Sequence, residues 1–251
     1  HALRLKSTTT MIKFVTLSGF AVLNGQEELI MEQLIAFLTG SCLASFIVTM
    51  TQRHLLEMGP SSPRSLCDHC AHPLAWWQLI PLVGFALQLG QCRWCKKAIA
   101  PWSSVCELTC GTWLALYTPL DLTEWLASLV LLTGLSAMAT TDWYAGWMNP
   151  LALTSLLPLP LIALSPLGIE QPALFLLVAG LLSLITLLSH GLGLGDLEWL
   201  LVVLLLAGWQ CYWQTLLIGC GLALTSPKLW HRQPLPFLPY LSTGLLVSLL
   251  I

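Results

Sequence analysis

"MEQLIAFLTGSCLASFIVTMT", residues 31–51, carries one ionisable carboxylate, Glu32, and one amide, Gln33, and is otherwise apolar or small. A helix over this stretch is long enough to cross a bilayer, which takes roughly 17–25 mainly apolar residues. The rest of the chain repeats the pattern. Its 251 residues are 56% hydrophobic and 9% charged, whereas soluble domains carry about 25% charged residues. So few ionic side chains cannot cover a water-facing surface, and a soluble protein is excluded. The alternation of polar and apolar residues that a membrane β-barrel needs is missing too.

Working outward from the first span, further spans are expected near 103–119, 125–141, 147–165, 172–189, 197–209, 212–226 and 236–251. The expectation is an all-α polytopic bundle of about eight transmembrane helices. Residues 1–30, which include Arg4, Lys6 and Lys13, form an N-terminal extension whose status the sequence leaves open. Residues 52–102 are the one long polar excursion, and residues 103–251 are the remaining bundle.

The net charge of −2 matters less than where the charges fall. With Glu32 outside, Arg53, Arg64, Arg93, Lys96, Lys97, Lys228 and Arg232 all fall on the cytoplasmic side. The outer loops then hold only Asp121, Glu124 and Glu170. That is the asymmetry of the positive-inside rule, and shifting the count by one span reverses it.

The polar excursion contains "CDHC" (Cys67, Cys70) and "CRWC" (Cys92, Cys95), two C-x2-C pairs 21 residues apart. This spacing suits a structural zinc site, each pair offering two thiolates from one tight knuckle. Disulfides or idle thiols are the alternative, and a reducing cytoplasmic side disfavours the former. His69 and His72 flank the first knuckle as substitute ligands. The interrupted apolar segment between the knuckles, with Trp76 and Trp77, suits the interface better than a span.

Two acids stand out within the bundle. Asp142 closes the third span, and Asp196 opens the sixth in "GLGLGD". The topology brings both to the cytoplasmic ends of their helices. Gly191, Gly193 and Gly195 allow an unusual backbone there and the close approach of another chain. Two carboxyls in one site do not both ionise easily, so the pair holds a single proton. One can then activate a water for attack on a peptide carbonyl while the other hydrogen-bonds the carbonyl oxygen. Asp142 and Asp196 are therefore candidate catalytic residues, with Gly193 and Gly195 admitting a substrate backbone. The alternative is an ion- or proton-coupled transporter with a zinc loop. Transporters usually hold such acids near the midplane of repeated halves, and no such repeat is visible.

Taken together, these motifs resemble the type IV prepilin peptidases, the GxGD membrane aspartic proteases. "GSCLASFIVTMTQR" from Gly40 is similar to the family's G-S-F-L-N-x-x-x-x-R opening, and the cysteine spacing matches its loop. "ELTCG" (Glu107 to Gly111), Asp142, "GLGD" (Gly193 to Asp196) and "PFLPYLSTG" (Pro236 to Gly244) fall where its remaining motifs belong. Departures are Asn149-Pro150 where Pro-Asp is frequent, Ser103-Ser104 where Tyr-Pro is common, and Asp68 where the first knuckle often has proline. The compact length from Met31 looks like the competence-type members.

The resemblance implies an inner-membrane enzyme whose active site faces the cytoplasm. It implies cleavage of the short basic leader of a type IV prepilin or pseudopilin, serving pilus assembly, competence or secretion. It also implies, for many members, N-methylation of the new amino terminus by S-adenosylmethionine. Glu107 is a candidate for that second activity or for a structural place at a helix start. The partners implied are the pilin helix and the lipid bilayer, with no nucleic acid.

Overall fold

The computed structural model describes residues 2–56, 65–67, 69–119, 121–163, 172–189, 193–230 and 234–251, with backbone alone for 2–28, 189 and 230. Arg64, Asp68, Glu170, Gly191 and Arg232 lie outside these. Helix dominates, and among the described residues the only β pairing is two isolated bridges in the cysteine loop.

In chain order the helices are α1 (Ala2–Leu55), α2 (Val83–Leu87), α3 (Trp102–Tyr117), α4 (Leu122–Ala145), α5 (Leu159–Ala163), α6 (Pro172–Ser189), α7 (Leu194–Leu224), α8 (Pro227–Trp230) and α9 (Leu238–Ser248). By length and composition, three stretches suit a membrane crossing: Leu29–Leu55 within α1, all of α4, and all of α7. Pro150–Ala163, Pro172–Leu188 and Leu238–Ser248 are shorter apolar helices. The structure thus supports a helical membrane protein without fixing eight spans.

Three expected spans take a different form. The span near 147–165 breaks into a 3-10 turn, Pro150–Leu156, and the short α5. Proline is the reason. Pro150 sits in the first turn, and Pro158 and Pro160 remove donors that a continuous helix would need. The spans near 197–209 and 212–226 join into α7, which is interrupted at Gly208 with φ 77° and ψ 178°. A straight helix of 31 residues would measure about 46 Å. Yet Asp196, near its start, lies within the electrostatic reach of Asp142, and Lys228, just past its end, sits over the neighbouring Trp143 ring. The chain therefore doubles back at Gly208, in a backbone region essentially restricted to glycine.

Helix crossings rest on small residues, as membrane bundles favour. At Gly40, α1 comes so close to α3 that a Cβ would stand 2.6 Å from the Cys110 carbonyl oxygen. Beside that crossing the Ser41 hydroxyl donates to the Glu107 carbonyl at 3.0 Å. The second half of α7 meets α9 in the same way, with Gly244 against the Thr215 carbonyl. The core runs through both crossings, from Val48 and Leu114 to Trp199, Leu241 and Leu245.

Candidate active site and metal centre

The end of α4, the start of α7 and the start of α9 meet at one place. Asp142 lies in the last turn of α4, whose C-cap Gly146 is left-handed (φ 65°). Its carboxylate Oδ2 accepts the Leu238 backbone N–H at 3.0 Å, from the first turn of α9. Leu238 is followed by Pro239, which has no N–H of its own to leave unpaired in the first turn. Asp196 lies in the first turn of α7, behind the extended N-cap Gly193. Both acids are half-buried, and the charge of Asp142 reaches Asp196. The arrangement is a carboxylate pair at the ends of three helices.

The two glycines have separate surroundings. A Cβ on Gly193 would stand 3.2 Å from Asp196 Oδ2, so its bareness makes room for that carboxylate to fold back over the N-cap. A Cβ on Gly195 would stand 3.2 Å from the Met148 Cβ, so here the bareness admits the loop that follows α4. That contact draws the segment after Asp142 against the turn that carries Asp196.

Three contacts around the pair carry no signal in the sequence. The Lys228 ammonium lies 3.9 Å from the centroid of the Trp143 ring. Trp143 in turn stacks on Trp102 at 4.5 Å and 8°. The Gln52 amide donates to the Tyr144 hydroxyl at 2.7 Å, tying the end of α1 to the end of α4. Only the proline of "PFLPY", a helix-start signature, hinted that α9 would present N–H groups at this level.

Glu107 does not join the pair. It is 5% exposed on α3; Oε2 accepts the Leu82 N–H at 2.7 Å and Oε1 accepts the Ser103 hydroxyl at 3.0 Å. Leu82 has φ 61° and caps α2. The carboxylate thus fastens a left-handed turn of the cysteine loop to a helix of the bundle.

In that loop the four sulfurs of Cys67, Cys70, Cys92 and Cys95 lie within 4.8 Å of one another. Cys67 to Cys95 and Cys70 to Cys92 are each 4.0 Å apart. Tetrahedral zinc with bonds of about 2.3 Å sets its sulfurs about 3.8 Å apart, so the set fits such an ion. The two knuckles repeat one another bond for bond. Cys67 N–H donates to His72 O and accepts, at its carbonyl, from left-handed Ala71; Cys92 does the same with Lys97 and left-handed Lys96. The bridges Leu66 to Pro73 and Gln91 to Ala98 close each turn. N–H groups of Cys95 and Trp94 point at the Cys92 sulfur and hold its thiol down to about 6, so it ionises readily for a cation. His72 instead packs against Trp94, ring centroids 4.0 Å apart.

A family profile described as Bacterial Peptidase A24 N-terminal domain matches residues 38–119. Three similar proteins each bear the name prepilin leader peptidase/N-methyltransferase. The one from Burkholderia pseudomallei is 31% identical over 72% of this chain and 65% of its own length. That from Klebsiella pneumoniae is 32% identical over 73% of this chain and 88% of its own. That from Bacillus subtilis is 29% identical over 86% and 93%. The chain thus spans just under two thirds of the Burkholderia relative. No solved structure matches it.

Proposed function

The chain belongs to the prepilin leader peptidase/N-methyltransferase family, and on that premise we propose that it is a membrane aspartic endopeptidase cutting the leader from a prepilin or pseudopilin. The observation that carries the reading is the carboxylate pair: Asp142 and Asp196, 54 positions apart in sequence, share one electrostatic site at the ends of their helices. In this reading one carboxylate takes a proton from the attacking water. The other hydrogen-bonds the scissile carbonyl and then protonates the leaving amine. The Leu238 N–H keeps the Asp142 side chain oriented, and Gly193 leaves Asp196 its place over the helix start.

Arg53, Lys96, Lys97 and Lys228 belong to segments at the aspartate end of the bundle, while Asp121 caps the opposite end of α4. That supports a site facing the cytoplasm of an inner-membrane protein. The four cysteines are proposed to hold structural zinc, closing residues 52–102 into a module that Glu107 anchors to the bundle of residues 103–251. N-methylation, the second activity in the relatives' name, is part of the proposal, with S-adenosylmethionine as donor. Nothing observed favours a transporter.

Coexpression with a prepilin tests the reading. The wild-type chain is expected to shorten the precursor, and Asp142→Asn and Asp196→Asn are each expected to abolish that cut. A product heavier by one methyl group would report the second activity. Cleavage that persists in either variant would remove the peptidase assignment.

A further inference from the structure

A cavity of about 370 Å³ opens between α3, α4 and α9. On α4 it is lined by Ser136, Ala139 and Trp143, and on α3 by Cys106 and Cys110. Residues three and four apart share one face of a helix. The floor is therefore made of small side chains, the composition that lets a further helix approach closely in a bilayer. One end is aromatic and adjoins the carboxylates: Trp143 follows Asp142, and Pro239, also in the lining, follows the Leu238 whose N–H bonds Asp142. The trough leads to the acids.

We propose that this trough seats the apolar membrane helix of the enzyme's own protein substrate, with the peptide beyond it unwound across Asp142 and Asp196. The proposal rests on the peptidase reading above and adds where the substrate docks.

The chemistry of the lining selects this occupant. Among the described residues no charged side chain lines the cavity, so an ionic cofactor would be desolvated there without a partner. The threonine hydroxyls are already satisfied within their own helices: Thr109 donates to the Val105 carbonyl at 2.8 Å and Thr243 to the Pro239 carbonyl at 2.9 Å. Their methyl groups are left for packing. The aromatic end of the trough adjoins the Asp142 carboxylate, so an occupant that continues into the scissile peptide fits it, whereas a lipid acyl chain has no part that reaches the acids. The lined stretch of α4, from Leu135 to Trp143, covers about 12 Å, or roughly two turns of an incoming helix. Beyond it the substrate backbone must leave the helix, because a helical amide is already hydrogen-bonded.

The test compares two substrates in detergent: a full-length prepilin, and a soluble peptide spanning only its leader junction. Thr109→Phe and Thr243→Phe each add a ring at the trough from a half-buried, lining position. Each is expected to raise KM for the full-length prepilin by roughly tenfold, with kcat/KM for the short peptide within about twofold of wild type. A benzophenone side chain at Tyr240, in an Asp196→Asn background, is expected to crosslink to the prepilin's apolar segment. If the ring variants slow both substrates alike, or neither, or if the crosslink captures only lipid, the docking proposal is overturned while the peptidase reading stands. If wild-type protein cuts neither substrate, the peptidase reading fails, and the docking proposal fails with it.

Discussion

Asp142 Oδ2 and the Leu238 N–H, 96 residues apart in the chain, are joined at 3.0 Å. One carboxylate thereby does two things: it completes the acid pair with Asp196, and it satisfies the first turn of α9. The two roles separate by substitution. Asp142→Asn keeps an acceptor for Leu238 and removes the acid, so it is expected to abolish prepilin cleavage with little change in thermal stability. Asp142→Ala leaves the half-buried N–H without a partner and is expected to lose about 1–3 kcal/mol of stability as well. Thermal unfolding in detergent, run beside the cleavage assay, distinguishes them. Equal stability of the two variants would show that the bond does not hold α9.

Gly208 is expected to tolerate no side chain. Its φ of 77° with ψ of 178° belongs to a region that costs other residues of order 1–3 kcal/mol. Gly208→Ala should lower the unfolding temperature. It should also reduce cleavage, because the reversal there returns α8 to the side of Trp143. Unchanged stability would mean that the backbone at 208 relaxes without strain.

The two acids at span boundaries and the four-cysteine cluster were legible in the sequence for a physical reason. An unpaired carboxylate at a span boundary is costly, and paired C-x2-C knuckles have few other uses. Composition and charge bias were enough for the membrane class. The path of the chain was harder to read. Periodicity marks 197–209 and 212–226 as apolar helix but says nothing of how Gly208 joins them, since only the backbone angles carry the turn. The partition of 147–165 was in principle available from Pro150, Pro158 and Pro160, which hydropathy alone overrides. Gly193 and Gly195 read as one motif, yet they make room for different neighbours, Asp196 and Met148. Such neighbours depend on tertiary approach, as does the Lys228–Trp143–Trp102 stack.

The symmetry of the knuckles makes the metal prediction stricter than loss of metal alone. Cys67 and Cys92 occupy matching positions with matching backbone bonds, so Cys67→Ser and Cys92→Ser are expected to lower bound zinc to a similar extent. Metal analysis of the purified wild-type protein should find one zinc per chain. Removing it with a chelator should speed proteolysis within residues 65–99 and spare the helices. A wild-type protein without zinc would dismiss the four-thiolate centre.

Glu107 offers the sharpest separation between a chemical and a positional role. Its carboxylate holds Leu82, a residue with positive φ, and Ser103 at the same time. Glu107→Gln retains one amide oxygen that can accept the Leu82 N–H, so the loop should stay docked. Glu107→Ala removes both acceptors at a buried position and is expected to cost about 1–3 kcal/mol. Amide hydrogen exchange around Leu82 should then speed up in the alanine variant and hardly change in the glutamine variant. Methylation of the cleaved product, followed by mass, should track that exchange: kept with glutamine, reduced with alanine. If glutamine instead abolishes methylation while exchange at Leu82 stays slow, the carboxylate itself takes part in methyl transfer, and its place as an anchor is incidental to that activity.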